Sequence, residues 1–329
     1  MNAPQRSFVA KPATRDRVPL LVGLMGPSGS GKTFSALRLA TGIQKVAGGD
    51  IHVIDTEAKR ALHYADQFSF KHVQFVPPFG SVDYLEAIRQ QVAAGAGVVV
   101  VDSMSHEHEG PGGMIDLHDQ ELDRMAGNDF GRRERVKMLA WQKPKSARRH
   151  LINGLLQLTA NFIFCFRAKN VAKPVKINGK TEVVPQGFMP IAGEEFLFEQ
   201  TVNCLLLPNS KGIPTWQSEN MGERQMIKLP RHFEKIFADS RPLDEQTGQA
   251  LAEWARGTAD PPPRPSVEQA AGELGGSPAA TLSVEDMARE AAMRGRTVFD
   301  DFYKNCNTEE KTKIRAIKTE LTPLFNAGE

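Results

Sequence analysis

The segment Gly26-Pro27-Ser28-Gly29-Ser30-Gly31-Lys32-Thr33 satisfies the pattern G-x-x-x-x-G-K-[ST] at every defined position. Its chemistry is phosphate binding. Glycines let a loop wrap closely with its N–H groups pointing inward, and a helix that begins there adds further donors and a positive dipole end. Lys32 is expected to contact the β- and γ-phosphates of ATP, and Thr33 to ligate Mg2+ through its hydroxyl. Contacts to the nucleotide are expected from Gly26 through Phe34.

Such a site needs an acid to hold the metal. Asp102 closes the run Gly97-Val98-Val99-Val100-Val101 and is preferred over Asp55, which ends the more mixed Ile51-His52-Val53-Ile54. A carboxylate that activates water must come within hydrogen-bond reach of a water in line with the γ-phosphate. The candidates are Glu57, just past the second strand, and Glu107 or Glu109, just past Asp102. His106 and His108 carry a His-x-His spacing that can chelate zinc, although no third ligand is specified.

These groups need strands and helices to position them. Leu20 to Met25 reads as a buried strand, and Lys32 to about Val46 as a helix, with Phe34, Leu37, Leu39 and Ile43 near helical spacing. Strands follow at Ile51–Asp55 and Val73–Val76, and then a helix from a Ser81 cap to Ala93. The β-branched run to Asp102 marks a strand buried on both faces. Asn161–Phe166, after a long helical stretch, reads the same way. Asn178-Gly179 between alternating residues is a hairpin signal. Thr201–Leu207 and Ile213–Trp216 read as late strands and Leu243–Arg256 as a closing helix. The alternation implies an α/β core with a mostly parallel sheet, spanning residues 18–256. Residues 1–17 read as a flexible lead-in, 257–282 as a Pro/Gly/Ala-rich linker, and 283–329 as a small helical tail able to engage a protein partner.

A net charge of +2 over 329 residues excludes a uniformly basic nucleic-acid coat but not a local groove. Two concentrations stand out. Arg132, Arg133, Arg135, Lys137, Lys143, Lys145, Arg148 and Arg149 are opposed only by Glu134, and Arg167, Lys169, Lys173, Lys176 and Lys180 precede the next acid, Glu182. Basic side chains of this kind neutralise phosphates with little sequence preference. From these clusters Arg132, Arg133, Arg148, Arg149, Lys169, Lys173 and Lys176 are the expected nucleic-acid contacts. The arginines could instead reach a neighbouring subunit's ATP. Cys165, Cys204 and Cys306 show no CxxC spacing, which points to a reducing cytoplasm. No apolar run is long enough to cross a bilayer.

Three blocks, GPSGSGKT, IDTEAKRALHYAD and VVVVDSMSHEHEG, resemble the RecA-like P-loop ATPases, and more narrowly the ATP-binding proteins of phages and prophages that include single-strand annealing proteins. The resemblance implies Glu57 as the general base, Asp102-Ser103 as the metal-binding strand end, and Glu107 as the second candidate base. By position it makes Arg167 the sensor of the γ-phosphate, where RecA itself has a glutamine. It further implies ATP hydrolysis with Mg2+, coupled to single-stranded DNA binding or annealing in recombination, a homo-oligomeric ring or filament, and the cytoplasm of a host cell if phage-encoded. The rival readings are a nucleotide-gated assembly factor with little turnover and a P-loop kinase of a small acceptor.

Overall fold

The structure, a computed structural model, describes residues 10, 18–177, 180–237 and 240–257, with residues 284, 288, 292, 299–300, 303–304, 306 and 308–317 of the C-terminal region. The chain divides into two units, 1–261 and 262–329.

In the larger unit β1 (Leu21–Gly26), β2 (Asp50–Asp55), β3 (Lys71–Gln74), β4 (Ala96–Asp102), the first part of β5 (Asn161–Ile177) and β7 (Val202–Leu205) form a parallel sheet in the order β3-β2-β4-β5-β1-β7. The seventh strand, β6 (Lys180–Pro190), runs antiparallel to the outer part of β5, so the two project as a ribbon beyond the sheet. Side chains alternate across a strand, and the apolar residues divide accordingly. Val22, Leu24, Val53, Val98, Val100 and Ile163 enter one buried cluster, whereas Met25, Ile54, Val99, Val101, Phe162 and Phe164 enter another. Both faces of the sheet are therefore covered, which is why its central strands are near-continuous apolar runs.

The first cluster includes buried residues of α1 (Lys32–Ala47) and α9 (Glu245–Arg256); the second includes those of α2 (Ser81–Ala93) and α6 (Gln142–Leu155). Helices α1 and α9 touch through glycine. A Cβ at Gly42 would lie 2.0 Å from the Glu245 carbonyl oxygen, and one at Gly248 would lie 2.2 Å from that of Leu39.

Parallel pairing sets the carboxyl ends of the strands at one rim. Gly26 stands opposite Arg167, Asp55 opposite Asp102, and Asp102 opposite Cys165. Ligands of open α/β sheets bind outside these ends.

Several boundaries differ from expectation. The helical stretch before β5 is broken into α4 (Met114–Ala126), α5 (Phe130–Val136) and α6, after the short α3 (His106–Glu109). Gly127 stops α4 at a φ of 57°, and the Asp129 carboxylate then caps α5 by accepting from the Arg132 amide at 2.9 Å. Strand β3 starts at Lys71, and Ile213–Trp216 contributes only a bridge from Leu205 to Thr215. Ser81 does not cap α2, because its hydroxyl is turned to Glu107. Short helices α7 (Glu194–Phe198) and α8 (Met221–Met226) follow β6 and β7.

The expected turn at Asn178-Gly179 lies outside the described residues, as do the linker from residue 258 and all but Ala10 of the first 17 residues. In the smaller unit Thr308–Ala316 forms a helix, α10, and Ala288, Ala292, Cys306 and Ile314 share a buried cluster. No helix among the described residues is long and apolar enough to cross a membrane.

Candidate functional site

Gly26 ends β1, and the chain turns through Pro27–Gly31 into α1 with Gly29 and Gly31 at φ 78° and 88°. Those left-handed torsions favour glycine. The Lys32 ammonium folds back over the loop and donates to the carbonyl oxygens of Gly26 at 2.9 Å and Pro27 at 2.8 Å. Next to it the Thr33 hydroxyl donates to Asp102 Oδ2 at 2.5 Å, which joins the start of α1 to the end of β4. The Asp102–Ser103 peptide that follows is cis.

Ser28, Gly29, Gly31, Lys32, Thr33 and Asp102 line a cavity of about 250 Å³, completed by Glu57, Arg60, His63, Tyr64 and Arg167. Gly26 and Pro27 support this cavity through the carbonyls that hold Lys32, and Ser30 lies buried beneath the loop. Phe34 stands off it and packs on Tyr64 and Phe68, with ring centroids 5.8 and 5.4 Å away.

The far wall depends on Asp55. Its buried carboxylate accepts from the Glu57 amide at 2.7 Å and the Ala61 amide at 3.0 Å, and His72 Nε2 lies 3.1 Å away. These bonds close a turn in which Ala58 and Lys59 both take positive φ, 55° and 68°. Such torsions cost a non-glycine residue roughly 1–2 kcal/mol each. Asp55 is thus an organiser of the turn that carries Glu57, Arg60, His63 and Tyr64, while Asp102 is the acid beside Thr33.

Across the cavity Arg167, where β5 leaves the parallel sheet, donates from Nε and Nη2 to the two Glu57 oxygens, each at 2.7 Å. Burial pushes the Glu57 carboxyl up, but the Arg167 bonds and charge outweigh it and hold it below the usual glutamate range. Glu57 in turn holds the Arg167 guanidinium above its ordinary value. Burial raises Asp102, opposed by the Thr33 bond and the Lys32 charge, and burial lowers Lys32. Thr56 ties the ends of β2 and β4 together: its hydroxyl accepts from the Ser103 amide at 2.8 Å and lies 2.7 Å from His106 Nδ1. Burial and the Arg167 charge push His106 below the ordinary histidine range, which favours the neutral ring.

Two expectations are corrected. Glu107 does not face the cavity. It is buried, accepts from Ser81 Oγ at 2.6 Å and from Arg148 Nη2 at 2.7 Å, and so is not placed to act as a base in the cavity. Arg148 is buried with it and also lies 3.0 Å from His108 Nδ1, which removes it from any nucleic-acid surface or reach toward a neighbour. The reason is tertiary: α3 turns immediately after Ser105 and sends Glu107 under α2 and α6. His106 and His108 likewise point to Thr56 and Arg148, and no metal-binding group of three ligands occurs among the described residues.

The other expected contacts lie on the surface. Arg132, Arg149, Lys169, Lys173 and Lys176 are exposed, and Arg133 is engaged by Asp123 on α4. Arg60, His63 and Tyr64 line the cavity without being among the expected site residues. The one signal was their place within eight residues of Glu57.

The donor set fits phosphate and a hard cation. A hydroxyl and a carboxylate converge at 2.5 Å, oxygen ligands of the kind Mg2+ takes, and cationic Lys32, Arg60 and Arg167 share the same cavity with glycine N–H groups. No protein-family model matches this chain, and no curated protein matches it either.

Proposed function

We propose that the chain is a RecA-like P-loop ATPase that hydrolyses ATP to ADP and phosphate and couples nucleotide state to contact with single-stranded DNA. One observation carries the reading: Lys32, the Thr33–Asp102 pair and the Glu57–Arg167 pair, from four strand ends, face one cavity. The loop amides and Lys32 would bind the β- and γ-phosphates, and Tyr64, which lines the same cavity, would pack on the base. Thr33 and Asp102 would hold Mg2+, which when bound neutralises charge on the phosphates.

Glu57 is the candidate base, and in the form described both its oxygens are occupied by Arg167. A γ-phosphate entering the cavity would compete for that guanidinium. As Arg167 turns to the phosphate, Glu57 is released to accept a proton from the attacking water, and Arg167 stabilises charge on the transferring group. The same strand continues past Arg167 into the β5–β6 ribbon. There Lys169, Lys173 and Lys176 are exposed and form no ion pair among the described residues. The ribbon is the proposed phosphate-backbone contact.

The closed Glu57–Arg167 pair also favours a second reading, a nucleotide-gated assembly factor with little turnover. Phosphate release from ATP, with and without single-stranded DNA and with Lys32→Ala as the blank, separates the two. Stimulation by DNA supports the coupled ATPase, turnover indifferent to DNA removes the coupling, and nucleotide binding without turnover leaves the gated factor.

A further inference from the structure

Helix α5 has no buried residue. It is nevertheless tied to α4 at its middle and just past its C-terminal end. Arg133 is bonded to Asp123, and His118 Nε2 lies 3.2 Å from the Lys137 carbonyl oxygen while its ring stacks on Trp141 at 4.2 Å. A helix with no buried residue adds nothing to the buried core. What it presents to solvent is Phe130 at 77% exposure and, in the turn after it, Met138 at 77% and Leu139 at 46%. Single exposed apolar residues are ordinary; three within ten residues on a fixed ridge mark a contact surface.

The charges beside them indicate the occupant. Among the described residues Arg132 and Arg135 have no acid partner, and the acid nearest Lys137 is Glu134 at 3.9 Å. Cations set beside an exposed aromatic ring suit a polyanion whose flat faces are free to stack. A duplex offers its phosphates but keeps its bases stacked. An apolar protein face would leave the cations unanswered.

We infer that the α5 ridge is a single-strand contact at which Phe130 stacks on an unpaired base while Arg132 and Arg135 meet the flanking phosphates. This rests on the nucleic-acid part of the proposed function and adds a surface separate from the ribbon lysines.

The test is fluorescence anisotropy of the full chain with a labelled oligothymidylate and a labelled duplex, using Phe130→Ala, Phe130→Trp and Arg132→Glu/Arg135→Glu, with ATP hydrolysis and oligomeric mass read in parallel. Because Phe130 is not buried, Phe130→Ala should fold and melt as the wild type does. Its affinity for the single strand should fall about tenfold with duplex affinity unchanged, tryptophan should restore it, and the charge reversal should flatten the salt dependence on both ligands. Unchanged affinity in Phe130→Ala, or an equal fall on strand and duplex, overturns the stacking role. A loss of oligomeric mass in place of affinity makes the ridge a subunit interface and overturns it as well. If the wild type binds neither oligonucleotide, the inference fails together with the nucleic-acid half of the function. Retained hydrolysis would then leave the ATPase half standing.

Discussion

Replacing Arg167 by alanine removes the partner from both oxygens of a carboxylate whose own side chain is only 9% exposed. An exposed ion pair contributes about 0–1 kcal/mol, and breaking a fully buried one costs about 3–5 kcal/mol. The Arg167 side chain is 38% exposed, so water screens this pair and the loss belongs between those limits, near 1–2 kcal/mol. For a unit of this size that lowers Tm by roughly 2–8 °C.

The pH dependence has a definite sign. Glu57 is held below its ordinary range in the folded state. The stability it contributes is therefore complete above the unfolded glutamate value of about 4.3 and is lost as pH falls through the lower, folded value. Urea unfolding of the nucleotide-free protein at neutral pH and below pH 4 should show a wide gap between wild type and Arg167→Ala at the first and a narrower one at the second. On the proposed function, phosphate release should fall at least about a hundredfold, because the charge proposed to stabilise the transferring group would be gone. Wild-type stability at neutral pH together with wild-type turnover would refute both the ion-pair estimate and the sensor role. A Glu57→Gln variant that still turns over would remove the base assignment by itself.

Glu107→Gln should behave as a folding variant. It takes the close counter-charge from the buried Arg148 guanidinium and leaves only the exposed Glu195 carboxylate at 4.0 Å; a loss of about 3–5 kcal/mol in denaturant unfolding is expected, with ATP affinity retained in whatever fraction folds. Asp55→Ala releases the Glu57 and Ala61 amides and lets the positive-φ pair Ala58-Lys59 relax. Its kcat should drop with a rise in KM, and adding Ala58→Gly and Lys59→Gly should recover part of the activity, since glycine adopts that turn without strain; no recovery would show that strain is not what Asp55 restrains. Lys173→Glu/Lys176→Glu should weaken single-strand binding and flatten its salt slope, and an unchanged salt titration would remove the ribbon from the contact surface.

Much of this protein follows from residue order. The G-x-x-x-x-G-K-[ST] pattern dictates a loop between strand and helix because its glycines and the helix N-terminus are local features. The Val98–Val101 run predicts a central strand because burial on both faces demands side chains apolar at every position. From these, Lys32, Thr33 and Asp102 are readable as neighbours in the sequence alone. Arg167 was nameable only through resemblance, by its place at the end of the next strand.

Partnership between distant residues is decided in three dimensions. Glu57 and Glu107 are both glutamates just past a strand, and no local rule separates them. One is turned into the cavity by the Asp55-bound turn; the other is carried by α3 beneath α2, where Arg148 neutralises it. The basic run from Arg132 to Arg149 reads as one patch in sequence. The fold divides it into a buried ion pair, two engaged surface pairs at Arg133 and Lys143, and an exposed ridge. Charge and polarity are written into each residue. Whether a charge meets water, another charge or a ligand depends on which elements pack over it, and that is set by contacts between segments far apart in the chain.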